Sequence, residues 1–97
     1  MMGPLTPLTD AEMLELFEVV LAHVRNSIAN AHTIYVCNFI EDSCEDYSHS
    51  DQLMELWREA GEEHGGNLCN CGWWPDDIYG NGQRILALES IIRKLTP

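Results

Sequence analysis

The sequence predicts an all-α fold, a compact three- or four-helix domain with one long irregular loop at about 65–82. Three observations predict it. Apolar residues recur at helical spacing over about 10–29, 51–64 and 82–95. Gly, Asn, Asp and Pro crowd into 65–82. The β-branched stretch near residue 35 has no obvious partner strand elsewhere, and a two-stranded ribbon would be marginal alone. Ninety-seven residues with 45% hydrophobic content suit a single domain with one core, 1–97.

The elements follow in chain order. Residues 1–8, with Pro4 and Pro7, read as a flexible leader. Thr9 followed by Glu12 fits a capping box, in which each side chain satisfies a backbone N–H at the helix start. Met13, Leu14, Phe17, Val20, Leu21, Val24 and Ile28 then form one stripe, and Glu12, Glu15 and Glu18 fall on the other side. Residues 33–44 carry two signals. Their β-branched and aromatic content favours a strand, whereas Cys37, Ile40 and Cys44 share one helical face. A short helix is the expectation. Residues 46–50 read as a loop. In the next helix, 51–64, Leu53, Leu56, Trp57 and Ala60 share a face. Asp51, Glu55, Glu59 and Glu62 lie within about 80° of each other on the opposite one. Gly65-Gly66 ends it. The last helix, 82–95, buries Ile85, Leu88, Ile91, Ile92 and Leu95, with Arg93 and Lys94 complementing the dipole of its final turn.

Charge narrows the function classes. Sixteen Asp and Glu stand against five Lys and Arg, a net charge of −11. Such a field repels nucleic acid and anionic membranes and steers basic partners inward. The expectation is therefore a protein partner with a basic surface, no direct nucleic-acid contact and no membrane. The segment 41–63 concentrates the charge: Glu41, Asp42, Glu45, Asp46, Asp51, Glu55, Glu59, Glu62 and Glu63 against a single Arg58. Like charges at i, i+4 cost a helix a few tenths of a kcal/mol per pair. A sequence shaped for folding alone would interleave lysine. The bland reading is a solvated face; the functional one is a line of carboxylates that imitates phosphates. Residues 1–10 show no targeting signal and no apolar run reaches a membrane span, so cytoplasm and reduced cysteines are expected.

Chemistry has little foothold. The carboxylate pairs Glu41/Glu45 and Glu55/Glu59 look exposed, and an acid–base pair needs a pocket that separates its pKa values. No nucleophile elbow, phosphate-binding loop or H-E-x-x-H occurs. His23 and His32 read as surface or core-edge residues. Neither an enzyme nor a cofactor is expected. Cys69-Asn70-Cys71 with His64 is the one metal alternative, a small zinc-stabilised module, but a lone C-x-C lacks the usual C-x₂₋₄-C spacing and its repeat. Cys37 and Cys44 are expected in the core, with Cys69 and Cys71 as free thiols. In Trp73-Trp74-Pro75, one indole is expected to plug the core and the other to serve as an interface anchor. Asp51, Glu55, Glu59, Glu62, Trp73 and Trp74 are thus the candidate partner-binding residues. A homo-oligomeric accessory protein joined through the Trp loop is the further alternative.

The segment Ile34-Tyr35-Val36-Cys37-Asn38-Phe39-Ile40, with Leu56-Trp57-Arg58, Arg84-Ile85-Leu86-Ala87-Leu88 and Ile91-Ile92, resembles a pattern in short uncharacterised accessory proteins of tailed phages and prophages. The resemblance spans roughly residues 13–95, and its fixed positions are few and mostly apolar. The C-N-C-G-W-W-P loop departs from it. It carries over no functional residue. It implies a setting, the cytoplasm of an infected bacterium. By analogy with small acidic phage proteins, it also implies an inhibitor that blocks a basic nucleic-acid-binding surface of a host protein.

Overall fold

The computed structural model describes residues 6–44, 46–63 and 74–97. It contains four α-helices: α1 Asp10–Ala29, α2 Val36–Ser43, α3 Tyr47–Glu63 and α4 Ile78–Leu95. No β-strand occurs among the described residues. Helix α4 packs against α1 and α3, and α2 closes the other side by packing against the same two.

Helix α1 begins where the capping box places it. The Thr9 hydroxyl accepts the Glu12 N–H at 3.2 Å, and Glu12 accepts the Thr9 N–H at 3.0 Å. Its end is less conventional. The His32 N–H reaches the Ser27 carbonyl at 2.8 Å, and the Ala31 N–H the Ile28 carbonyl at 3.1 Å. That is a Schellman closure. It puts Ala31 at φ 55°, in the left-handed region that favours glycine.

The β-branched segment divides between two conformations. Ile34 and Val36 are buried on either side of exposed Tyr35, the period of two of an extended chain. From Val36 the period turns helical, and Val36, Cys37 and Ile40 are buried. The helix is shorter than the expected 33–44 because its first residues are spent on this extended lead-in.

Two helix starts differ from expectation. Residues 47–50, expected in a loop, are the first turn of α3. Asp46 is the reason: its carboxylate accepts the N–H and hydroxyl of Ser48, and its carbonyl accepts the Ser50 N–H. This is the bonding of an N-cap. Helix α4 starts at Ile78 rather than 82, so the expected loop 65–82 gives its last five residues to the helix. Trp74, Pro75, Asp76 and Asp77 form a turn closed by the Asp77 N–H on the Trp74 carbonyl at 3.1 Å. Asp77 then caps the helix by accepting the Gly80 N–H at 3.1 Å. A Cβ at Gly80 would lie 2.2 Å from the Asp77 carboxylate, which would have to turn aside to admit it.

The core holds Met13, Phe17, Val20, Leu21 and Val24 of α1, Ile34 before α2, Val36 and Ile40 of α2, Leu53, Trp57 and Ala60 of α3, and Ala87, Leu88, Ile91 and Leu95 of α4. Trp57 is 0% exposed at its centre. Leu14, Ile28, Leu56, Ile85 and Ile92, expected on buried faces, flank the core half-buried. His23 stacks on Phe39 with ring centroids 4.0 Å apart, tying α1 to α2. No described helix is long and apolar enough to cross a membrane.

Candidate partner-binding surface

Helix α3 is held by its neighbours at both ends. Near its start, the Gln52 amide accepts the Leu8 N–H at 2.8 Å and donates to the Leu8 carbonyl at 3.0 Å. The His49 ring meets the Thr6 carbonyl at 2.9 Å. The chain just before α1 is thereby fastened along α3. At its other end Glu63 pairs with Lys94 at 2.6 Å. The ends of α3 and α4 therefore lie together.

This fixed helix carries Asp51, Glu55, Glu59 and Glu62, all exposed. Along the axis they span about 16 Å. None of the four belongs to an ion pair among the described residues. Three of the chain's five cations are committed elsewhere: Arg25 to Glu89 at 3.2 Å, Arg84 to Asp77 at 3.4 Å and Lys94 to Glu63. The one cation within the helix, Arg58, is exposed and belongs to no ion pair among the described residues.

Trp74 is 68% exposed, followed by Ile78 at 85% and Tyr79 at 80%. Asn81 fixes the turn that presents them. Its buried side chain donates to the Trp74 carbonyl at 2.9 Å, and Arg84 donates to its oxygen at 3.0 Å. Ile78 and Tyr79 were absent from the sequence-derived candidates. Trp73, and the alternative zinc ligands His64, Cys69 and Cys71, lie outside the described residues. Among the described residues no three His, Cys, Asp or Glu are grouped to hold a metal.

Three further acids border a hollow at the start of α3. Glu41, Asp42 and Asp46, with Cys44, Tyr47 and Ser50, border a depression of about 260 Å³. Glu12 is held below the ordinary carboxylate range by its bonds from the Thr9 backbone and hydroxyl. Asp46 is lowered likewise by Ser48. Burial pushes the Cys44 thiol up. Cys37 is buried and Cys44 half-buried. No family model, curated protein or solved structure matches this chain.

Proposed function

We propose that this chain is a non-enzymatic protein-binding module whose acidic α3 face docks on a basic surface of a partner, of the kind that otherwise holds nucleic acid. One observation carries the reading: four carboxylates share an exposed helical face with Arg58 as its single cation and no ion pair to them among the described residues, while three of five basic side chains neutralise acids elsewhere. Carboxylates four residues apart repel, and that cost is returned when a cationic surface meets them. The resemblance to phage accessory proteins supplies the setting, a host protein in the bacterial cytoplasm blocked by a phage product.

Affinity capture from nuclease-treated bacterial lysate, eluted on a salt gradient, tests this. The reading expects a basic protein retained by the wild type and released by salt, and not retained by Glu55→Lys/Glu59→Lys/Glu62→Lys. Equal retention by both would reject it. The exposed Trp74, Ile78 and Tyr79 favour a second reading, a homo-oligomer joined at this turn. Light scattering of wild type and Trp74→Ser decides it: a monomer throughout rejects self-association.

A further inference from the structure

Beside the acidic ridge, Met13 of α1 and Gln52, Glu55, Leu56 and Glu59 of α3 line a groove of about 230 Å³. Met13 is buried and Leu56 half-buried. Gln52 is a wall rather than a ligand, because its amide is engaged at both ends by Leu8 and also lies 3.7 Å from the Met13 sulfur. The polar groups left to meet an occupant are the Glu55 and Glu59 carboxylates, one helical turn apart above thioether and isobutyl groups.

We propose that this groove seats one long-stemmed cationic side chain, a lysine of a basic protein segment, its methylenes against Met13 and Leu56 and its ammonium between Glu55 and Glu59. The assignment rests on the proposed α3 binding face and makes it specific. Charge complementarity selects the occupant: the walls are anionic and the lining beneath them is apolar. A lysine matches both, since its stem buries on apolar surface while its head stays with charge and water. A small cation would leave the apolar part unused. An apolar side chain would strand the carboxylates. A second copy of this chain, at −11, would bring repulsion.

The test compares two probes of equal charge, hexalysine and hexa-2,4-diaminobutyrate, whose side chains differ by two methylenes. The full-length chain, labelled at its methionine methyls, is titrated with each at low salt. Binding of hexalysine on the order of fivefold tighter is expected, from partial burial of two methylenes, together with a shift of the Met13 methyl signal. Equal affinities, or tighter hexalysine binding that leaves the Met13 methyl unmoved, would overturn the groove while leaving the charged face intact. Failure of both probes to bind would overturn the face on which it rests, and the groove with it.

Discussion

Ala31 holds a conformation that its side chain opposes. At φ 55° its Cβ is crowded against the following carbonyl, yet the Schellman closure demands that geometry. Ala31→Gly removes the clash but loosens the unfolded chain. The clash is the larger of the two, so a net gain of about 0.5–1 kcal/mol is expected. Chemical denaturation measures it, and a loss would show that Ala31 carries no strain. Trp57 acts in the opposite direction. Its indole is wholly buried among three long helices, and Trp57→Ala should cost about 3–5 kcal/mol, a large part of the total for a domain this size. A loss below about 1 kcal/mol would contradict its central place. Glu12 gives a pH signature. Its folded pKa lies below the model-peptide value of 4.5, so its contribution is fully present above that value and is lost as pH falls through the folded one. Thr9→Ala removes the cause. Glu12 should then titrate nearer 4.5 in a carboxyl NMR titration, and an unmoved titration would refute the cap as the source.

At the scale of elements, α1 was legible to its ends because its capping box and apolar stripe agree. The starts of α3 and α4 were not. Asp46 caps α3 through Ser48, but this is one Asp among several in an acidic stretch, and nothing in the sequence marks it out. At α4, Gly80, Asn81 and Gly82 are poor helix formers and read as loop. Tertiary bonds overrule them: Asp77 caps, and Asn81 is clasped between Trp74 and Arg84. The double signal of 33–44 was real on both counts, extended at Ile34 and helical from Val36. The polar face of α3 was fully legible, since exposure follows from periodicity. The Met13 lining of the groove was not, because it comes from a different helix. Reversing Glu55, Glu59 and Glu62 to Lys touches exposed side chains only; it relieves repulsion between positions 51 and 55 and between 59 and 63, keeps like charges at 55 and 59, and creates a like-charged pair at 58 and 62. These opposing pairs nearly cancel, so stability should change by no more than about a few tenths of a kcal/mol. A substantial drop would mean that these carboxylates stabilise the fold.

At the scale of the whole molecule, the four helices of the described residues enclose one continuous apolar core. Folding should therefore be independent of metal: a chelator should leave the unfolding curve unchanged, and protein purified without added metal should hold little zinc. Near-stoichiometric zinc with unfolding on chelation would instead establish the module built on His64, Cys69 and Cys71. The field of −11 is spread over the molecule, but the structure arranges it unevenly. Glu63, Asp77 and Glu89 are paired and Asp46 is bound up in a cap, whereas Asp51, Glu55, Glu59 and Glu62 are gathered on one exposed helical face with Arg58 as its single cation. That unevenness is the central claim, and amide chemical-shift mapping with a lysine-rich peptide tests it most directly. At low salt the shifts should centre on residues 51–62. They should fade at 1 M salt, where the Debye length is about 3 Å, and be lost in the triple Lys variant. Shifts spread evenly over all the acidic residues, or centred on Glu15 and Glu18 of α1 and undiminished in the variant, would contradict it.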